Sequence, residues 1–126
     1  MRAVDTNILA RWLLGDDPVQ TPVALAVLSE PAHVSLTVLT ELGLVLEKAL
    51  RIPRPIVGSM LEKVIDLEHT QVDKQPSVRW AIDRYRQGAD WADMMHLVAA
   101  AGAAPVFATF DGSIARDAGE DSPVLV

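Results

Sequence analysis

The residues of this sequence that could do chemistry are carboxylates placed where apolar runs end. Asp5 closes the opening run Arg2-Ala3-Val4, and Glu41 sits early in a helical stretch. Asp90 and Asp93 stand three apart at the start of another helix, and Asp111 follows the apolar run "PVFATF". Gathering that many like charges is unfavourable unless a cation neutralises them, or some carboxyls stay protonated with a raised pKa. Hard oxygen ligands favour Mg²⁺ or Mn²⁺, and such sites activate water and clamp phosphate oxygens during in-line phosphodiester hydrolysis. Each acid also has a plain structural use. Asp5 suits a turn, Asp90 and Asp111 suit helix caps, and Asp93 suits the reciprocal position of a capping box, with the helix dipole favouring all three.

The elements that must position these acids alternate in type. Strands are expected at residues 3–4, 33–36, 70–72, 105–110 and 124–126, with helical patterns between them. A first helix is expected over 7–14 with Gly15 as its stop, and a second over 19–29 with Pro18 in its first turn. "TVLTELGLVLEKAL" has apolar residues at helical spacing and Thr37 placed to cap its start. Glu41 lies roughly 110° from the centre of that apolar stripe at about 3.6 residues per turn, near its margin. "PRPIVGSMLEKVIDLE", "PSVRWAIDRYRQG" and "DWADMMHLVAAAG" read as further helices, the last two ending at Gly88 and Gly102, and a short helix should follow Asp111. This order predicts one α/β domain with a central, largely parallel five-stranded sheet flanked by helices. In such sheets ligands sit at the carboxyl ends of the strands, the edge where Asp5 and Asp111 should emerge.

Composition sets the outer limits. A chain of 126 residues, half of them hydrophobic and 22% charged, suits a single folded domain. No internal repeat or linker-like tract divides it. Cysteine is absent, which excludes disulfides and thiolate metal sites and fits a reducing compartment. No stretch approaches about 18 uninterrupted apolar residues, so the expectation is a cytoplasmic protein with no membrane partner. Seventeen acidic against eleven basic residues give a net charge of −6, which argues against non-specific nucleic-acid binding. Carboxylates around a divalent cation would be neutralised in the working site, so a metal-dependent nuclease stays open.

Four segments in order, "VDTNIL", "SLTVLTEL", "GADWADMMHLVAA" and "VFATFDGSIAR", resemble the motifs of PIN-domain ribonucleases, and most closely those of VapC-type toxins of bacterial toxin–antitoxin pairs. The resemblance spans essentially the whole chain, 1–126, as one PIN-like domain. It implies that Asp5, Glu41, Asp93 and Asp111 are the catalytic acids and hold Mg²⁺ or Mn²⁺, with Asp90 as an additional metal-binding acid. Thr6, Asn7 and Thr109 match polar positions that orient the acids or contact phosphate. It further implies an endoribonuclease that homodimerises and is inhibited by a VapB-like antitoxin. The alternative is a non-catalytic PIN-like binding module or RNA scaffold. Trp91 stands where the family commonly has Phe, and Met94-Met95 replace smaller or aliphatic pairs, differences that touch packing more than chemistry.

RNA would still need positive surface, for which Arg79, Arg84, Arg86 and Arg116 are the candidates, together with Arg51 and Arg54. His33, His69 and His96 lack the spacing of a metal-binding helix motif. No nucleophile elbow, P-loop or dinucleotide glycine pattern occurs. A haloacid-dehalogenase-like phosphatase would carry a second Asp two positions after Asp5, where this chain has Asn7. Trp12, Trp80, Trp91, Tyr85, Phe107 and Phe110 form no visible stacking platform, and core packing is expected of them.

Overall fold

In the computed structural model, which describes residues 1–126, Asp5 both ends the first strand and starts the first helix. After β1 (Arg2–Ala3) the backbone of Asp5 stays extended, and its Oδ1 accepts the Ile8 amide at 3.2 Å to begin α1 (Thr6–Leu14). Gly15 ends that helix with φ 62, a left-handed conformation that suits glycine, and its N–H donates to the Arg11 carbonyl. α2 (Gln20–Leu28) starts later than the sequence suggests. Asp17 is the reason, because its Oδ1 accepts the amides of Val19 at 2.9 Å and Gln20 at 2.7 Å, leaving Pro18 in the turn before the helix.

Met1–Asp73 forms one compact unit and Lys74–Val126 another. In the first unit, β2 (Ala32–Val34) and β3 (Thr70–Val72) join β1 in a parallel sheet of order β1-β2-β3. Arg2 faces Ala32, and Val34 faces Val72. Parallel neighbours require long crossovers, and helices supply them. α1 and α2 lie between β1 and β2. α3 (Leu36–Leu44), a π-helical turn (Val45–Ala49) and α4 (Arg54–Ile65) lie between β2 and β3. Leu9, Val34, Leu39, Leu42, Leu46, Val57 and Leu61 are fully buried, each worth about 1.5–3 kcal/mol relative to exposure. The cap of α3 is Ser35 and not Thr37: the Ser35 hydroxyl accepts the Val38 amide at 3.3 Å, while Thr37 is exposed one position inside the helix start.

The second unit pairs α5 (Gln75–Arg86) with α6 (Trp91–Ala100) and adds α7 (Gly112–Ala118). Val78, Ala81, Ile82, Tyr85, Trp91, Met95, Leu97 and Val98 are buried, with Tyr85 and Trp91 meeting edge-on at a centroid distance of 5.8 Å. Lys74 ties the pair together. Held at φ 49 before α5, it sends Nζ to the carbonyls of Val98, Ala99 and Ala101 at 3.1, 3.2 and 2.6 Å, satisfying the C-terminal end of α6.

The expected five strands reduce to three. Segments 105–110 and 124–126 meet only as a single parallel bridge, Val106 with Leu125, supported by the Phe107 amide on the Leu125 carbonyl at 2.7 Å. A strand needs a repeating ladder, and one bond does not make one. Phe110 departs furthest from expectation. Expected to pack in the core, its side chain is wholly exposed at 111% of reference area. No helix is long and apolar enough to cross a membrane.

Candidate active site

In the first unit the acids are exposed and stand on rigid elements. Asp5 uses one carboxylate oxygen on the Ile8 amide, and Glu41 projects from the second turn of α3, which packs against α1. Thr6 is buried directly after Asp5, whereas Asn7 is exposed and lines a cavity of about 220 Å³ with Ile8, Arg11, Val19 and Val23. Asp5 therefore performs the capping duty that its sequence position allows.

The second unit concentrates negative charge. Asp90 starts α6 by accepting the Asp93 amide on Oδ1 at 2.9 Å. Asp93 lies one turn inside, half-buried. Its carboxyl is pushed above the usual carboxylate range by burial first, then by the charges of Asp90 and Asp111; His96 acts the other way, and Asp117 adds a smaller push upward. Asp111 behaves oppositely. The hydroxyl of Ser113 donates to its Oδ1 at 2.6 Å and the Ser113 amide at 2.9 Å, so its carboxyl is held below the usual range. Thr109 accepts the Asp111 amide at 3.0 Å and fixes the backbone that carries this acid.

Asp117 escapes the sequence reading, because the segment "VFATFDGSIAR" stops one residue short of it. It adds to the negative field on Asp93 and also engages basic residues. Arg116 Nε donates to its Oδ1 at 3.1 Å, which raises the Arg116 pKa, and Arg84 Nε donates to its backbone carbonyl at 2.6 Å. Two of the four arginines named for RNA are thus held by Asp117, while Arg79 and Arg86 lie exposed on α5. Of the other basic candidates, Arg54 reaches Glu47 at 3.5 Å and Arg51 is exposed with φ 54.

Carboxylate oxygens are the donors hard divalent cations prefer, and the like-charge pressure on Asp93 is of the kind a cation relieves. The residues present fit such an ion, although no group of three acidic or imidazole side chains is drawn to ligand distance.

A parallel sheet with helical crossovers makes the first unit an α/β fold. The PIN domain family matches residues 2–120, and the chain belongs to that family. PIN domains are typically nucleases that act on RNA and generally use divalent metals. No curated protein and no solved structure matches the chain.

Proposed function

We infer that the protein is a Mg²⁺- or Mn²⁺-dependent endoribonuclease, the toxin of a VapBC-like pair, and that both units work as one PIN domain over 1–126. The observation that carries the reading is the PIN domain match over residues 2–120, in a family that is typically nucleolytic, together with an Asp93 carboxyl that burial and then the charges of Asp90 and Asp111 push above its usual range. In this reading Asp5, Glu41, Asp93 and Asp111 are the catalytic acids that hold the metal, with Asp90 assisting. A bound divalent cation would supply Lewis-acid polarisation of the phosphate and a lowered pKa for water. Ser113 keeps Asp111 ionised, and Thr109 keeps its backbone in place. Asp90 holds the start of α6 so that Asp93 faces its acidic neighbours. Thr6 and Asn7 orient Asp5 or contact phosphate.

The toxin assignment, the VapB-like antitoxin and the homodimer rest on the resemblance of the motifs. The apolar surface of α2 and the turn before it supports a protein partner, since Val19 in the turn and Val23 and Leu25 on the helix are 74%, 56% and 58% exposed, the first two lining the cavity shared with α1. Purified protein incubated with structured cellular RNA tests the enzyme assignment. Cuts should require Mg²⁺ or Mn²⁺, stop with chelator, and be absent in Asp93→Asn. Metal-independent cuts, or cuts that persist in Asp93→Asn, would reject it; binding without cutting under any condition would favour the scaffold.

A further inference from the structure

α7 carries Asp111 at its start and Asp117 near its end, and both charges reach Asp93. Little apolar surface holds this helix, since Ile114 and Ala118 are its buried residues. The segment before it is fixed through the Phe107 amide on the Leu125 carbonyl at 2.7 Å and not by a sheet ladder. At about 1.5 Å per residue a helix of this size is roughly 10 Å long. A small tilt about its two buried contacts would therefore shift Asp111 by a distance that a metal site feels.

Arg84 supplies what packing does not. From α5, its Nε donates to the Asp117 carbonyl at 2.6 Å, a short charge-assisted bond to one of the carbonyls that the last turn of a helix leaves open. A cation at this end also suits the helix dipole. The guanidinium lies against Gly119, which ends α7 with φ 71. A Cβ there would come within 3.2 Å of one terminal nitrogen and 3.3 Å of the guanidinium carbon. Glycine is thus needed both for the left-handed backbone and for the close approach. Arg116 Nε holds the Asp117 carboxylate at 3.1 Å, so Asp117 is gripped at backbone and side chain. Sequence spacing groups Arg84 with Arg79 and Arg86 as positive surface, yet Arg84 is half-buried where the other two are exposed.

We propose that Arg84 is a positioning residue: it clamps the last turn of α7 and so keeps Asp111 in register with Asp93 for a shared divalent cation, instead of contacting RNA phosphate. The role rests on the ribonuclease reading and deepens it. A phosphate contact acts on RNA affinity and its salt dependence. A clamp on α7 acts on the metal before RNA arrives.

Titration of Mn²⁺ into the full chain without RNA, followed by steady-state cleavage of structured cellular RNA, separates the two roles in Arg84→Met, Arg84→Lys and Gly119→Ala. Arg84→Met keeps the stem and loses the donor. It should weaken Mn²⁺ binding by about tenfold to a hundredfold, the range for groups that orient metal ligands, and lower kcat with KM for RNA nearly unchanged. Arg84→Lys should recover part of both, because an ammonium can still donate to the carbonyl. Gly119→Ala leaves every charge in place, yet by displacing the guanidinium it should move the same two quantities in the same direction. All are read well below the unfolding midpoint, and if Arg84→Met does not fold, the other two variants carry the comparison. Unchanged Mn²⁺ affinity and kcat with a raised KM would overturn the proposal and return Arg84 to the RNA surface. A lower melting temperature with Mn²⁺ affinity and kcat unchanged would also overturn it, leaving a purely structural tie. Wild-type protein that neither binds Mn²⁺ nor cuts RNA would remove the ribonuclease reading and the proposal together.

Discussion

The two units use acidic residues differently. In Met1–Asp73, Asp5 and Asp17 serve helix starts, and each is paid back by backbone amides that it accepts. Hydrogen bonds from Gln20 and Val19 hold the Asp17 carboxyl below its usual range. In Lys74–Val126, Asp90 and Asp111 also serve helix starts, and the Asp93 carboxyl beside them is pushed upward by burial first and then by their charges. Capping aspartates are thus locally satisfied in both units, and the second adds Asp93, a half-buried acid pushed the other way. A capping aspartate stabilises a helix wherever it occurs, whereas an ionised Asp93 opposes the metal-free fold through burial first and neighbouring charge second. That contrast points to function in the second unit.

The comparison breaks most severely at the cores. Leu39→Ala in the first unit or Leu97→Ala in the second, both fully buried, should each cost about 2–5 kcal/mol in denaturant unfolding. If the units act as one domain, either change moves the single transition; two separable transitions would divide them. Next in size is Asp93→Asn, expected to lower RNA cleavage by roughly a hundredfold or more, the scale of losing one essential charge-stabilising group. Its effect on stability has the opposite sign. A folded-state pKa above the unfolded value means that the ionised carboxylate disfavours the fold at pH above that folded pKa. Without metal near neutral pH the variant should therefore melt higher than wild type, and the gap should close as pH falls through the raised pKa. A lower melting temperature would favour a purely helix-stabilising Asp93.

Smaller effects sharpen the contrast. Lys74→Met removes a donor shared by three carbonyls at the end of α6 and should cost about 1–3 kcal/mol, read by thermal unfolding. Ser35→Ala should cost about 1 kcal/mol through the lost cap, with Thr37→Ala close to neutral. Asp17→Ala carries the smallest change and a pH signature. Because the folded pKa of Asp17 is depressed, its contribution is present above the ordinary value of 3.8 and is lost as pH falls through the folded value. The stability difference from wild type should shrink over that acidic window.

Much of the first unit is legible from local signals. Residues 70–72 form β3 as expected, Gly15 stops α1, and Asp5 sits at the strand-to-helix junction. Such features depend on neighbours a few residues away. Ser35 and Thr37 show where local reading stops, since both are hydroxyl residues and the backbone's exit from β2 decides which one caps. The second unit is less legible. "PVFATF" has the composition of a strand, but a strand requires a long-range ladder, and here it finds only Leu125. Its apolar pattern placed Phe110 in the core, although nothing covers the ring. At the candidate site, Asp90 and Asp111 are readable as helix starts. The field at Asp93 includes Asp117, from the far end of α7, and depends on tertiary proximity that spacing does not encode.

The proposed function depends on a divalent cation at Asp93 and its acidic neighbours Asp90 and Asp111. Calorimetric titration of Mn²⁺ and of Mg²⁺ into metal-free protein tests it most directly, with Asp93→Asn titrated alongside. The account predicts saturable binding by the wild type that is lost or strongly weakened in the variant. Absence of binding to the wild type, or equal binding to both proteins, would contradict it.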